Sequence, residues 1–230
     1  MSVITRVTRS SLPRLRSAPT NPYSTTFSGK RVDLVHPDPE DVDFGDVAHH
    51  LAHICRYGGA AKLTYSVAQH CVAGLKHCSL AAKPFFLVHD GHEYVSQDDT
   101  SPKKRALPLV MADALADKFP LADLVKFKLA VETAFDQFEL RHMRAVHIAA
   151  GLEWPVSDAI EREVKHIDRR MLLTEWRELM EGPLPDEYRW PGVEPFPEGI
   201  GMPWPFERAR EEYLNQCRRL LPCFGNQVAA

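Results

Sequence analysis

The chain has few cysteines, no long apolar run and no excess of positive charge, and each absence closes a class of function. Cys55, Cys71, Cys78, Cys217 and Cys223 form no CxxC pair, and an odd, sparse set in 230 residues does not make a disulfide scaffold. It fits a reducing compartment, so a cytoplasmic protein is expected. No stretch reaches the ~18 consecutive apolar residues of a membrane helix, and none has the apolar core of a secretory signal. With 28 Lys and Arg against 31 Asp and Glu, the formal charge of −3 argues against a strongly basic nucleic-acid binder. No segment alternates apolar and polar residues as a half-buried strand would, so a mostly α fold is expected.

What remains is an ordinary globular composition, 44% hydrophobic and 26% charged, enough for one well-packed domain or two small ones. Charge is unevenly placed. The first 32 residues carry six basic groups (Arg6, Arg9, Arg14, Arg16, Lys30, Arg31) and no Asp or Glu, with much Ser, Thr and Pro. This reads as a flexible or loosely docked arm, although an organellar transit peptide has a similar composition. The rest carries 22 basic and 31 acidic residues, a formal −9.

Beyond the arm, Val47, Leu51 and Ile54 recur at helical spacing, and Gly58-Gly59 stop that pattern. Ser66 and Gln69 match a capping box ahead of Val67, Cys71, Val72 and Leu75. Pro84 suits the first turn of a helix FFLVHDGHEYV. Longer helical patterns cover roughly 121–149 and 157–181, and a last one 205–221. Seven prolines between Pro183 and Pro205, with Trp190 and Trp204, forbid regular structure there and predict an extended segment laid over the domain. The expected organisation is an arm at 1–32, a helical domain at 33–181 and an extension at 182–230.

Eleven histidines are many for this length, and polar residues concentrate at His89-Asp90-Gly91-His92-Glu93. Imidazole and carboxylate together form a borderline-hard donor set, suited to Mn, Fe, Co, Zn or Mg. Position 96 is Ser, so His92-Glu93 does not open a metalloprotease HExxH. Further ligands are available in His70, one turn into the capped helix, and in Asp168, beside Ile167, Met171 and Leu172. Each also has a purely structural reading: a satisfied core histidine for His70, and for Asp168 a salt bridge with Arg169 or Lys165.

The order His70 … His89-Asp90 … Asp168 resembles the H…HD…D signature of HD-domain metal-dependent phosphohydrolases. YSVAQH, LVHDGHE, the DDTSPKK stretch, EVKHID and the upstream DVAHHLAHICRYGG resemble the branch with bacterial deoxynucleotide 5′-nucleotidases and phage deoxynucleoside triphosphate triphosphohydrolases. The resemblance covers roughly 28–181 and implies an all-α HD-domain helical bundle, with the proline- and tryptophan-rich segment as a C-terminal extension. It implies a divalent metal ion on His70, His89, Asp90 and Asp168, where an ion would acidify a water and neutralise phosphoryl charge. Glu93 then resembles the carboxylate that orients or deprotonates that water, and Asp98 a second catalytic carboxylate. Arg56 resembles the phosphate or sugar arginine, Lys104 and Lys165 resemble phosphate contacts, and Tyr57 would stack on a base or pack in the core.

The expected activity is hydrolysis of a deoxynucleotide 5′ phosphoester in a bacterial or phage-infected cell. Release of triphosphate from a dNTP is favoured over release of phosphate from a dNMP. An alarmone or cyclic-dinucleotide hydrolase shares the same core, and a non-catalytic nucleotide-binding protein would keep the ligands without turnover. A small-molecule deoxynucleotide is the expected partner, with neither membrane nor nucleic acid, and a homo-oligomer is compatible with the extension.

Overall fold

The computed structural model describes residues 21–97 and 100–225, and among them the long periodic segments are helices. In chain order these are α1 (Phe44–His53), α2 (Val67–Gly74), α3 (Lys83–Val88), α4 (Glu93–Ser96), α5 (Ser101–Asp113), α6 (Leu121–Ala149), α7 (Asp158–Leu179) and α8 (Phe206–Leu220). The fold is mostly α, with one small antiparallel sheet of β1 (Tyr23–Thr25) and β2 (Arg31–Asp33).

Local chemistry sets the ends of these helices. Asp43 caps α1 by accepting from the Gly45 and Asp46 amides. Ser66 caps α2 by accepting from the Gln69 amide. The Gln69 side chain does not turn back to complete a capping box. It donates to the Met202 carbonyl at 3.1 Å and accepts from the Trp204 amide at 2.7 Å, clamping the proline-rich segment onto α2.

The core is built by residues far apart in sequence. Val47 and Leu51 of α1, Val67 and Cys71 of α2, Phe86 and Leu87 of α3, Val146 of α6 and Met171 of α7 are all almost fully excluded from water. Burial of each large side chain contributes about 1.5–3 kcal/mol. Helix α8 packs on α1, α2 and α3, and its Ala209, Tyr213 and Cys217 are completely buried in the same core. The Tyr213 hydroxyl donates to the Leu87 carbonyl at 3.0 Å. The segment at 182–225 therefore shares the core of the helical domain.

Two local expectations are corrected. First, residues 21–33 contain the two strands. Asp46, buried on α1, accepts from Thr26 Oγ1 (2.6 Å), the Ser28 amide (2.8 Å) and Ser28 Oγ (2.7 Å), which pins the hairpin turn to the domain. Second, FFLVHDGHEYV is not one helix. α3 ends at Val88, residues 89–92 form a turn and α4 starts at Glu93. A Cβ at Gly91 would meet Val146 Cγ1 at 2.8 Å and the Val88 carbonyl oxygen at 2.9 Å, so only glycine lets this turn sit against α6. The TSPKK stretch opens α5, with Pro102 in its first turn, where the missing N–H is harmless.

Candidate metal centre

Three elements bring the candidate ligands together. α2 carries His70, the turn after α3 carries His89 and Asp90, and α7 carries Asp168. His70 Nε2 lies 3.4 Å from His89 Nε2, 3.3 Å from Asp168 Oδ1 and 3.8 Å from Asp90 Oδ2. His89 Nε2 lies 3.3 Å from Asp90 Oδ2 and 3.7 Å from Asp168 Oδ1. These separations are close to the ~3.4 Å between neighbouring donors of a tetrahedral ion with bonds of ~2.1 Å. Donor atoms of His70, His89 and Asp168 all lie within 4.8 Å of one another and could hold a metal ion, with Asp90 beside both imidazoles in an adjoining group of Cys71, His89 and Asp90.

Both imidazoles are already oriented for that role. His89 Nδ1 is 2.6 Å from the Phe86 carbonyl, and His70 Nδ1 is 2.5 Å from Glu175 Oε1. An N–H on each Nδ1 leaves each Nε2 lone pair directed at the carboxylates. This is the arrangement by which outer carboxylates and carbonyls fix the tautomer of a metal-binding histidine. Cys71 Sγ also lies within 4.8 Å of donor atoms of His89 and Asp90. Burial pushes its thiol up to about 11, so at neutral pH it is a protonated neighbour.

The charges sustain one another. Burial pushes the Asp168 carboxyl upward, but hydrogen bonds from His70 and His89 hold it well below the ordinary carboxylate range. Asp90 is likewise lowered against its burial by His89, Arg56 and His70. Burial favours neutral imidazoles, yet Asp90 and Asp168 raise His89, and Glu175 and Asp168 raise His70. Without a divalent ion, protons on the imidazoles would balance the carboxylates.

Behind His70 lies a buried polar cluster whose centre the sequence did not disclose. Glu175 is completely buried on α7. Besides His70, it accepts from Arg56 Nε at 3.3 Å and from the Tyr57 hydroxyl at 2.9 Å. Arg56 NH1 reaches Asp90 Oδ2 at 3.4 Å. Tyr57 and Gly58 both adopt left-handed backbone (φ 59° and 58°), which folds the RYGG segment back onto α7. For Tyr57 that conformation costs on the order of 1–3 kcal/mol, offset by its hydrogen bond to Glu175. Arg56 and Tyr57, read as substrate contacts, thus support the ligand set from behind. The one sequence signal for Glu175 was a carboxylate two turns beyond Asp168 on an otherwise apolar stripe.

The other expected site residues take varied positions. Glu93 is buried at the first residue of α4, with its amide 3.0 Å from the Asp90 carbonyl oxygen. Lys104, in the first turn of α5, forms an ion pair with Glu139 of α6. Their charges act on His92, which is buried beside Glu93 and is lowered mainly by that burial. Lys165 is exposed on α7, one turn before Asp168, whose side chain is 35% exposed and marks the open edge of the centre. Asp98 lies outside the described residues. His49, His50 and His53 line a separate concavity of about 310 Å³ with Thr25, Phe27 and Gln97. None of the four ligands borders it.

No family model matches the chain. An uncharacterized protein of Rhodobacter capsulatus is 36% identical over 156 residues, which is 64% of this chain and 67% of that protein. The uncharacterized protein YfdR of Escherichia coli K12 is 38% identical over 90 residues, 37% of this chain. The chain spans 48% of the length of YfdR.

Proposed function

The chain belongs to one family with the Rhodobacter capsulatus protein, and for this member we propose divalent-metal-dependent hydrolysis of the 5′ phosphoester of deoxynucleotides, with dNTPs as the favoured substrates. The observation that carries the reading is the convergence of His70, His89, Asp90 and Asp168, with both imidazoles held through Nδ1. Imidazole and carboxylate donors suit a divalent ion that also takes oxygen ligands, such as those of a phosphoryl group.

His70, His89, Asp90 and Asp168 would hold the ion. When bound, it supplies Lewis acidity, polarising a phosphoryl oxygen and acidifying a water. The protein's own groups do the rest. Glu93, buried three residues after Asp90, orients the attacking water and accepts its proton. Lys165, beside the open edge, and Lys104, at the root of α5, receive phosphate oxygens. Asp98 protonates the departing 5′ oxygen. Arg56 and Tyr57 hold Glu175, and through it His70, so that the ligand does not rotate as the substrate enters.

Product analysis tests the reading. The metal-reconstituted protein is incubated with each dNMP and dNTP, and phosphate, pyrophosphate, triphosphate and nucleoside are separated. Triphosphate with deoxynucleoside is expected. Phosphate with deoxynucleoside, from monophosphates alone, would replace it with a 5′-nucleotidase. No turnover with Mg, Mn, Co or Zn would overturn both.

A further inference from the structure

A cavity of about 550 Å³ is lined by the C-terminal third of α7 and by residues 182–195 of the proline-rich segment. Trp176, Tyr188 and Trp190 form much of its wall, and all three are half-buried. Its volume falls within the ~300–1,000 Å³ usual for small-molecule sites, which pair aromatic and aliphatic walls with a few polar groups. None of the four candidate metal ligands borders it. The 182–195 wall also lies outside the stretch that resembles the phosphohydrolases.

The rings are held in place before any ligand arrives. The Trp176 indole N–H donates to the Gly182 carbonyl at 3.0 Å, and Tyr57 meets the same indole edge-on with ring centroids 5.7 Å apart. The Arg169 guanidinium sits 5.0 Å from the centre of the Trp190 ring. Glu187 accepts from Arg105 of α5 at 2.6 Å, which ties down the short turn Asp186–Tyr188. The three rings follow one another at 5.8 and 6.0 Å, tilted by 54° and 47° and so not stacked on each other. A pre-positioned aromatic wall takes a flat ring with little loss of side-chain freedom.

Charge selects among flat ligands. Arg177 and Arg189 line the cavity, against Glu194 as the one acidic residue of the described lining. Both arginines are exposed and are paired with Glu178 and Asp186, each at 2.9 Å. Exposed pairs of this kind contribute little, so exchanging them for a ligand's anion costs little. With Arg169 already on Trp190, a cation among the rings would meet like charge, whereas an anion gains the planar fork of a guanidinium.

We propose that this cavity is a binding site for a planar aromatic anion, its ring seated against Trp176, Tyr188 and Trp190 and its anionic group held by Arg177 and Arg189. The proposal is independent of the reaction at the metal centre. A nucleotide and an aromatic carboxylate share this chemistry.

Calorimetric titration of the full chain, with a chelator present to prevent turnover, uses dAMP for the first source and 2-naphthoate for the second. Saturable binding of at least one, at one site per chain and with quenching of tryptophan emission, is expected, and the tighter of the two identifies the source. The neutral counterparts deoxyadenosine and 2-naphthol should bind about tenfold more weakly, because they lack the charge-assisted hydrogen bonds. Arg177→Gln combined with Arg189→Gln should weaken the anion by a similar factor with helical circular dichroism unchanged, and D168A should leave it unaffected. Absence of binding by both anions would overturn the proposal. So would neutral counterparts that bind as tightly, which would make the cavity merely apolar. Binding that survives R177Q/R189Q, or that is lost in D168A, would overturn it as well.

Discussion

Glu175 Oε1 stands 2.5 Å from His70 Nδ1, with both side chains completely excluded from solvent. This contact fixes the ring orientation of a candidate metal ligand from two turns beyond another candidate, Asp168, on α7. On the proposed function Glu175 is a positioning residue, setting the basicity of His70 through this hydrogen bond. Glu175→Gln keeps the shape and removes the charge, so metal affinity should fall about 10–100-fold while the fold persists. Calorimetric titration of the metal-stripped protein checks this. Glu175→Ala should also cost about 3–5 kcal/mol of stability, because it strands the buried Arg56 guanidinium.

Glu93 and Asp168 should separate cleanly. Asp168→Ala removes a donor on the open edge and should release the metal, as read by elemental analysis of the purified protein. Glu93→Ala should keep the metal and lose about 10²–10⁴-fold in turnover. Unchanged metal content in D168A would return Asp168 to a structural role, and near-wild-type rates in E93A would remove the base assignment.

Gly91 is the hinge on which the HD pair turns. Gly91→Ala forces a Cβ onto Val146 and the Val88 carbonyl, so it should cost about 1–3 kcal/mol and displace Asp90 from His89. Urea denaturation reads the first effect and metal titration the second. Adding Val146→Ala should recover part of the metal affinity, since it removes one of the two close contacts.

Acid should weaken the fold before the carboxylates titrate. His142 and His147 are buried on α6 and hydrogen-bond the carbonyls of Leu34 and Met143 at 3.2 and 2.8 Å. Burial pushes both imidazoles below their ordinary 6.5. A histidine with a lowered folded pKa contributes stability that is complete above the unfolded value. That stability is lost as pH falls through 6.5 toward the folded value, because the unfolded chain takes up the proton first. The unfolding free energy of the metal-loaded protein should therefore drop between pH about 7 and about 5. The H142Q/H147Q variant should show a flatter profile over the same range.

Much of this architecture was legible in the residues, for identifiable reasons. The pattern at 121–149 coincides with α6 because a long amphipathic helix repeats its signal many times. Ser66 marked α2 because a hydroxyl before an apolar run has little else to do. The four candidate ligands were legible as residue types in order, whereas their approach to one another depends on tertiary packing. The break at residues 89–92 was hidden because helical spacing continues through FFLVHDGHEYV, and the close approach of Val146, which leaves no room for a Cβ at Gly91, is visible only in the fold. The strands of the hairpin are three residues each, too short to alternate visibly, and Asp46 holds their turn from twenty residues away. α5 was hidden by Pro102 and Pro108, which mark turns in most contexts. Glu175 was hidden because a carboxylate on an apolar stripe declares its partner only when Arg56, Tyr57 and His70 are folded around it.

The most direct test of the central claim follows turnover against metal occupancy. The protein is stripped with a chelator, Mn²⁺ is titrated back, and hydrolysis of dNTPs is measured at each step beside the bound metal. The account predicts no turnover in the stripped protein, a linear rise, and saturation at one ion per chain, with D168A flat throughout. Turnover that persists in the stripped protein, or an ion that binds without supporting any hydrolysis, would contradict it.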